Sequence, residues 1–322
     1  MRAAFLPVAA FPVVLALAAA VGLAAPCAAA QRIVIGTPSH GLFEFPAVIA
    51  IRRGFYRAEG LEVDKVQMQP QLAVKALVSG DVDYLLAWGS AVRAAVSGVP
   101  IKAVAGLAAR PLHVLIARPE IKGPGDLKNK TIGVDSVAGT VDYLSRVAVR
   151  HFRLEPDRDV RIIVTGESPL RLAAIRAGSI DATPIDVAFA VKAEEEGFNR
   201  LLYLGDIIEL PLSGIAVTET KLQNRRDEVK KVIRATLRGT RFMKQNRDET
   251  VRMLSDYLRI TPSQAARAYD AAVTSFTDDG IISDHGLRLD VQLAKERLKT
   301  TREIPLNRLA DWSLVKEIQA GR

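Results

Sequence analysis

The chain has 322 residues, with 44 lysines and arginines against 36 aspartates and glutamates, which gives a formal net charge of +8. Its one cysteine, Cys27, lies near the N-terminus, so disulfides, thiolate nucleophiles and cysteine metal sites are excluded from the rest of the chain. The basic residues are scattered, with a mild cluster from Arg225 to Arg241 and no interleaved aromatic residues. Nucleic acid is therefore not expected as a partner.

The first thirty residues have the pattern of an export signal. Arg2 is the only charged residue before a long apolar run, and three alanines at 28–30 follow it. A positive start, an apolar core and a small-residue site are typical of a signal peptide. We therefore expect residues 1–30 to be removed and the mature protein to be periplasmic. The alternatives are an uncleaved membrane anchor and lipid attachment at Cys27, which Pro26 disfavours.

The elements predicted after the signal come in the same order twice, as a strand, a glycine-containing loop, a helix, a strand, a helix and a strand. The first half is predicted as strand 32–37, loop 38–43, helix 45–56, strand 60–68, helix 72–78 and strand 82–87. The second half is predicted as strand 131–135, loop 136–139, helix 140–152, strand 160–165, helix 169–177 and strand 180–185. Further strands are expected at 100–107, 113–117, 201–205 and 211–217, and helices from 218 to the end.

The two halves also share sequence at an offset of 98 residues. Residues 77–83 (LVSGDVD) match 175–181 (IRAGSID), and Gly41 lies over Gly139. At the same offset, residues 34–36 lie over 132–134. Strands that alternate with short helices favour parallel sheets with helices on both faces. The sequence thus predicts an α/β protein with two similar lobes and a cleft between them.

The predicted boundaries place residues 31–117 and 218–322 in lobe one and residues 118–217 in lobe two. Ligands of open parallel sheets bind beyond the carboxyl ends of the strands. The loops at those ends, with neighbouring polar and aromatic positions, supply the candidate ligand-binding residues: Ser39, His40, Phe43, Trp88, Gly89, Ser90, Arg110, Ser136, Gly139, Thr140, Glu167 and Asp186.

Two of these loops precede helices, whose free N–H groups and positive dipole ends suit an anion. These are the Ser90 loop and the loop from Ser136 to Thr140, where Ser136 or Thr140 would otherwise serve as an ordinary cap. Trp88 follows a buried strand and would either stack on a planar ligand or close the core beneath the cleft. Phe43 carries a weaker version of the same prediction.

Several polar candidates have two interpretations each. His40 would hydrogen-bond either a ligand or the protein itself. Arg110 would pair with a carboxylate or sulfonate, or lie at the surface. Glu167 and Asp186 would meet an amine, or simply cap helices. The charge of the ligand therefore stays open at this point, with a small organic anion as the leading hypothesis.

No enzyme motif is found in the sequence: it has no G-x-S-x-G, no H-E-x-x-H and no P-loop. The histidines are too dispersed to indicate a metal cluster: His40, His113, His151 and His285. We therefore expect a protein without a catalytic residue, metal or cofactor.

Three segments resemble the periplasmic substrate-binding proteins of ABC importers for nitrate, sulfonates, taurine and thiamine-precursor pyrimidines. Residues 50–63 resemble the pattern A-x-x-x-G-[FY]-[FY]-x-x-[EQ]-G-L-x-V of that family. Residues 119–134 resemble its entry to the second lobe, except that Asn129 replaces a common glycine. Residues 177–182 match its x-G-x-[IV]-D-A signature. The resemblance extends over most of the chain from Arg32 to Val217.

The resemblance implies a two-lobed periplasmic-binding-protein (Venus-flytrap, type II) fold that closes about a hinge on one small ligand. It also implies delivery to the permease and ATPase subunits of an ABC importer, and we expect a monomer. Matching family positions are cleft residues: Ser39, Trp88, Ser90, Ser136, Gly139, Thr140 and Asp186. The alternatives are a receptor for a thiamine-precursor pyrimidine or amine, and a sensory solute receptor. An enzyme of the thiamine-pyrimidine synthase type is disfavoured, because its cysteine-rich motif is missing.

Overall fold

The structure is a computed structural model that describes residues 30–38, 40–137 and 139–321. Apart from residue 30, the predicted signal peptide lies outside the described residues, as do Cys27 and the predicted cleft residue Ser39. Within the described ranges, no helix combines the length and the apolar character that a bilayer crossing needs.

The described residues form two mixed β-sheets with helices packed around them. The strands are β1 (Gln31–Thr37), β2 (Leu61–Gln67), β3 (Tyr84–Leu85), β4 (Ile101–Ala108), β5 (His113–Ala117), β6 (Lys130–Val134), β7 (Val160–Val164), β8 (Ala182–Asp186), β9 (Asn199–Tyr203) and β10 (Ser213–Thr218). The sheet orders are β2-β1-β3-β10-β4 and β7-β6-β8-β5-β9. In each sheet one strand, β10 or β5, runs antiparallel to its neighbours. The predicted α/β fold with mostly parallel sheets is confirmed.

The helices occupy the connections and the C-terminal part of the described chain. They are α1 (Phe45–Arg52), α2 (Phe55–Ala58), α3 (Pro70–Ser79), α4 (Trp88–Val96), α5 (Thr140–His151), α6 (Ser168–Arg176), α7 (Val187–Glu195), α8 (Glu219–Asn224), α9 (Arg226–Gln245), α10 (Arg247–Leu258), α11 (Pro262–Ala272), α12 (Asp284–Leu298), α13 (Leu306–Leu309) and α14 (Ser313–Gln319). Trp88 begins a helix rather than ending a strand, so Gly89 and Ser90 lie in a first helical turn.

The boundaries between the lobes differ from the predicted ones, because each sheet contains one strand that was assigned to the other lobe. We call each sheet with its helices a lobe, the β1 sheet being lobe one. The strand at 113–117, assigned by sequence to lobe one, pairs with β8 and β9 in lobe two. The strand at 213–218, most of which was assigned to lobe two, pairs with β3 and β4 in lobe one. The chain therefore changes lobe at 109–112 and at 204–212, because each exchanged strand completes the opposite sheet.

One aspartate in each lobe fastens the first strand to the third. Asp83 accepts a hydrogen bond from the Val34 amide at 2.7 Å, and Asp181 accepts one from the Thr131 amide at 2.8 Å. This equivalence places the first strands at an offset of 97 rather than the predicted 98, so that Gly36 corresponds to Gly133.

The C-terminal helices lie against both lobes. Helix α9 packs on α1 of lobe one. Helix α11 packs on α7 of lobe two, where Arg267 forms ion pairs with Glu194 and Glu195. Helix α12 packs on α4 of lobe one, while its Leu289 and Leu293 contact the apolar core of lobe two. The two crossovers are therefore supplemented by C-terminal helices that contact both lobes.

The contact between α1 and α9 depends on a glycine. A Cβ atom at Gly239, in the middle of α9, would lie 2.0 Å from the carbonyl oxygen of Pro46. An alanine in place of a helical glycine usually stabilises a protein by about 0.5–1 kcal/mol. Here we expect Gly239→Ala to lower the free energy of unfolding by about 1–3 kcal/mol, since the backbone must shift. Urea denaturation measures this change.

Gly125→Ala is the matched control for this substitution. No atom lies within 4 Å of a Cβ placed there, so the control should change the free energy of unfolding by less than about 0.5 kcal/mol. A Gly239→Ala protein as stable as the wild type would show that α1 and α9 do not approach so closely.

Candidate functional site

A small cavity lies where the two lobes and the C-terminal helices meet. Its volume is about 40 Å³. Lobe one contributes the start of α4, lobe two contributes the start of α5, and one crossover and α12 complete the wall. The lining residues are Gly89, Val92, Arg93, Gly139, Thr140, Leu210, Pro211, Leu212, Asp290, Leu293, Ala294 and Arg297. Residues that are distant in sequence and belong to opposite lobes therefore line one cavity.

Two arginines give this cavity a positive character. The Arg93 side chain is half-buried and folds back along α4, where it donates a hydrogen bond to the Ser90 hydroxyl at 3.2 Å. Burial lowers the pKa of Arg93, and repulsion from Arg297 lowers it further. In the part of the chain that the structure describes, no carboxylate lies within 4.0 Å of either guanidinium. Arg93 thus faces the cavity without a direct ion pair, and the charges of Asp290 and Asp135 offset part of the lowering of its pKa. Arg297 lines the cavity from an exposed position.

Two helix N-termini open onto the same cavity. Helix α4 begins at Trp88 and α5 begins at Thr140, and neither has a side chain that caps its first turn. Neither Ser136 nor Thr140 serves as the cap of α5, because its N-cap residue is Gly139. A Cβ atom at Gly139 would lie 2.3 Å from the Ser136 hydroxyl oxygen, so the chain needs glycine there. Uncapped N–H groups and positive dipole ends attract an anion.

One carboxyl group also lines the cavity. Asp290 is 7% exposed, and its carboxylate accepts a hydrogen bond from Nε1 of Trp88. Burial raises the pKa of Asp290 to about 7, while the Trp88 hydrogen bond and the charge of Arg93 act in the opposite direction. The cavity therefore contains a group that changes charge near neutral pH.

A second polar cluster lies at the cleft edge of lobe two. Asp186 caps α7 by accepting a hydrogen bond from the Ala188 amide at 3.0 Å, and burial raises its pKa to about 6. The buried Arg171 donates to the Pro184 carbonyl at 3.2 Å and to the Ser168 hydroxyl at 3.0 Å. Asp135 acts electrostatically on both Arg171 and Arg93, which indicates that its loop lies between the cluster and the cavity.

Two buried polar atoms in the described residues near this cluster lack a hydrogen-bond partner. They are Nδ1 of His113 and the hydroxyl oxygen of Thr165. Burial, followed by repulsion from Arg171, lowers the pKa of His113 to about 3, so the imidazole is neutral. His113 lies opposite Asp186 in the sheet. Buried polar atoms without a partner are uncommon in folded proteins and mark these two positions as worth testing.

The structure brings some of the sequence-predicted residues together. Gly89, Gly139 and Thr140 line the cavity. Ser90 holds Arg93, and the Ser136 hydroxyl lies beside Gly139.

Other predicted residues have roles inside the protein. Trp88 is 1% exposed and lies parallel to Trp312, with 6.5 Å between the ring centroids. Its ring faces are thus occupied by the core, which is the second of its two predicted roles. Phe43 is 9% exposed and belongs to an apolar cluster shared by both lobes. Arg110 pairs with Glu209 at 3.1 Å rather than standing free.

The last two predicted residues, His40 and Glu167, are not among the residues that line the cavity. The His40 ring stacks on Tyr257, and its Nε2 lies 2.8 Å from the Tyr257 carbonyl oxygen. Glu167 occupies the N-cap position of α6 without a side-chain cap bond, and its side chain is exposed. For both residues, a role in ligand binding stays a prediction.

Sequence reasoning missed the three charged residues of the cavity. Arg93 follows the Ser90 loop and stands out by no motif, while Asp290 and Arg297 belong to a tail whose packing has no local signal. The available clue was the spacing of Asp290 and Arg297, seven residues apart on one helix, which puts them on the same face.

Comparison with known proteins agrees with this architecture. The family model described as NMT1/THI5 like matches residues 44–250. The riboflavin-binding protein RibY of Chloroflexus aurantiacus is 27% identical over 215 residues, which are 63% of this chain and 60% of RibY. The chain thus spans about 60% of the length of this curated relative.

Two solved structures show the same fold at low identity. The alkanesulfonate-binding protein SsuA of Xanthomonas axonopodis pv. citri, bound to MOPS, has a TM-score of 0.69 at 16% identity, covering 88% of this chain and 99% of SsuA. The desulfurization enzyme DszB has a TM-score of 0.68 at 13% identity, covering 91% of this chain and all of DszB. A binding protein and an enzyme therefore share this fold. The predicted two-lobed fold and the predicted resemblance are confirmed, and the chain belongs to the NMT1/THI5-like family.

Proposed function

We propose that this protein is the periplasmic solute-binding receptor of an ABC importer, and that it captures a small organic anion in the cleft between its lobes. The observation that supports the proposal most directly is the positive charge of the residues that line the cavity. Arg93 and Arg297 face the cavity without an ion-pair partner among the described residues, beside two uncapped helix N-termini from opposite lobes.

The physical argument is that positive charge is in excess among the lining residues, where two guanidiniums share the cavity with one carboxyl group, that of Asp290. Removing a guanidinium from water costs free energy unless an opposite charge or hydrogen-bond acceptor replaces the water. A carboxylate or sulfonate supplies several acceptor oxygens to arginine and to backbone N–H groups at once. A bound anion therefore relieves the repulsion between Arg93 and Arg297 that the empty cavity retains.

Cavity size limits what the arrangement holds. A volume of about 40 Å³ admits a few water molecules or a compact head group such as carboxylate or sulfonate. A larger organic body would extend into the cleft and hold the lobes slightly further apart. Both lobes contribute to the wall, so a ligand that contacts both favours the closed arrangement over the open one.

Delivery to a membrane permease without chemical change is part of the proposal. SsuA, which shares the fold, is a binding protein for alkanesulfonates. Because DszB shares the fold and is an enzyme, the fold leaves both activities open, and the charge of the cavity supports binding. Among the described residues that line it, no nucleophile is hydrogen-bonded to a base, and the charged groups complement an anion.

A second candidate ligand is a heterocycle with N–H groups, bound at the lobe two cluster. Asp186 offers a carboxylate there, and Nδ1 of His113 is buried without a partner. The relative RibY is a riboflavin-binding protein. This candidate uses the cluster edge rather than the arginine cavity, so the two ligand classes depend on different residues.

Replacing Arg93 tests the anion proposal. We expect methanesulfonate, benzenesulfonate or benzoate to raise the melting temperature of the mature protein. Arg93→Gln should weaken the binding of that anion by roughly tenfold to a hundredfold, since it removes one charge-assisted hydrogen bond and one positive charge. Isothermal titration calorimetry measures the affinity.

Arg241→Gln is the matched control, because Arg241 is exposed on α9 and does not line the cavity. It removes the same charge and should leave the affinity unchanged. Equal affinities of the Arg93→Gln and wild-type proteins would contradict the assignment of the cavity. Loss of a heterocycle's binding through Asp186→Asn, with no anion bound, would favour the second candidate.

Closure and delivery are tested on the same ligand. We expect the anion to reduce the radius of gyration in X-ray scattering and to be recovered chemically intact after long incubation. Uptake of the labelled anion by membrane vesicles that contain the permease and ATPase should require the receptor. A ligand consumed by the protein would indicate an enzyme, and binding without uptake would favour a sensory receptor.

A further inference from the structure

Asp290 is an unexpected residue at an anion site, because its carboxylate would repel the ligand. We propose that Asp290 is a proton-binding site coupled to the capture of the anion, so that the anion enters the cavity together with one proton. This inference rests on the proposed function and concerns the same cavity. According to this inference, the pH dependence of the affinity for the anion comes from one buried side chain.

The geometry holds the Asp290 carboxyl group against the cavity. Asp290 lies near the middle of α12 and is only 7% exposed. Its carboxylate accepts a hydrogen bond from Nε1 of Trp88, whose ring is 1% exposed and lies at 7° to the plane of Trp312. A Cβ atom at Gly214 would lie 2.6 Å from the Trp88 ring, so the indole fills its space completely. The carboxyl group is therefore fixed by a rigid donor and has little freedom to turn away from an incoming anion.

The charged groups around Asp290 come from few elements. Helix α4 contributes Arg93, and α12 itself contributes Arg297. The start of α5 and residues 210–212 of the crossover contribute only uncharged groups to the wall. Asp135, in the loop after β6, acts on Arg93. No ion pair within 4.0 Å joins Asp290 to an arginine in the described residues.

The side chains just outside this wall are compensated elsewhere. Glu209 of the crossover pairs with Arg110 at 3.1 Å. Glu296 of α12 is exposed and accepts a hydrogen bond from the Gln292 side chain at 3.1 Å. The charge inside the cavity is accordingly that of two guanidiniums and one carboxyl group, and protonation of the carboxyl group changes the sum from about +1 to about +2.

Burial of the Asp290 carboxyl group sets the pH range in which this group titrates. Burial raises the pKa of Asp290 to about 7, against the opposing effects of the Trp88 hydrogen bond and the charge of Arg93. An anion in the same cavity disfavours the carboxylate further and raises this pKa again. A group whose pKa rises on binding takes up protons, so the affinity for the anion falls as the pH rises above about 7.

The protonated carboxyl group also gains a function that the carboxylate lacks. One of its oxygens still accepts from Trp88, while its O–H becomes a donor for an acceptor oxygen of the ligand. A neutral carboxylic acid that donates to a bound anion is an established arrangement in buried sites. Protonation therefore removes a repulsion and adds a hydrogen bond at the same time.

Calorimetry with methanesulfonate and benzenesulfonate tests the inference, because sulfonates keep a constant charge between pH 5.5 and 8.5. If only the protonated form binds, a pKa of about 7 makes the affinity at pH 8.5 roughly thirtyfold lower than at pH 5.5. Titrations in two buffers with different ionisation enthalpies should show an uptake approaching one proton per anion at pH 8.5. The proton count is read on the wild-type protein and needs no variant.

Asp290→Asn keeps the acceptor for Trp88 and the shape of the side chain but has no proton to exchange. Its affinity should be independent of pH, with no proton uptake, and should exceed that of the wild type at pH 8.5. Asp256→Asn, at an exposed position of α10, should behave as the wild type.

The outcomes separate the two proposals. A sulfonate that binds with pH-independent affinity and no proton uptake overturns the inference and leaves the receptor proposal standing. Proton uptake that persists in Asp290→Asn also overturns it, since another group then takes the proton. If neither sulfonate nor any other organic anion binds at any of these pH values, the proposed function fails and the inference fails with it.

Discussion

An excess of positive over negative charge where the lobes meet is the constraint on which the arrangement of this protein depends. Arg93 and Arg297 approach one cavity, and the uncapped first turns of α4 and α5 add partial positive charges from both lobes. A partly buried charge such as that of Arg93 is costly to hold away from water alone and less costly to hold beside an anion. The junction of the lobes therefore retains an excess of positive charge, and the proposal that an anionic solute binds there rests on this excess.

The rest of the fold brings these charged side chains together at one cavity. Two crossovers exchange β5 and β10 between the sheets, so that neither lobe is complete without a strand from the other half of the chain. Helices α11 and α12 then lie against both lobes, and α12 carries Asp290 and Arg297 to the cavity wall. The Trp88–Trp312 pair supports this wall from inside, which explains why an aromatic residue at a strand end is buried rather than offered to a ligand.

Much of the architecture is predictable because it is encoded by local patterns that occur twice. The G-x-[IV]-D segments mark the start of the third strand in each lobe, and their aspartates, Asp83 and Asp181, make the same bond to the first strand. The loop glycine Gly139 is predictable as a cleft residue, since it precedes a helix at the carboxyl end of a strand. The strand at 113–117 was assigned to the wrong lobe because a short link after β4 resembles a turn within one sheet.

The sequence by itself determined the α/β class, the duplicated half, the family and the helix starts that face the cleft, because each depends on residues close together in the chain. Only the tertiary structure decided that Arg93, Asp290 and Arg297 share a cavity, that Trp88 is covered and that Arg110 is paired with Glu209. These facts depend on how a helical tail, nearly two hundred residues after α4, packs against it. Periodicity shows which face of a helix is apolar, but only packing shows which charged side chains that face brings together.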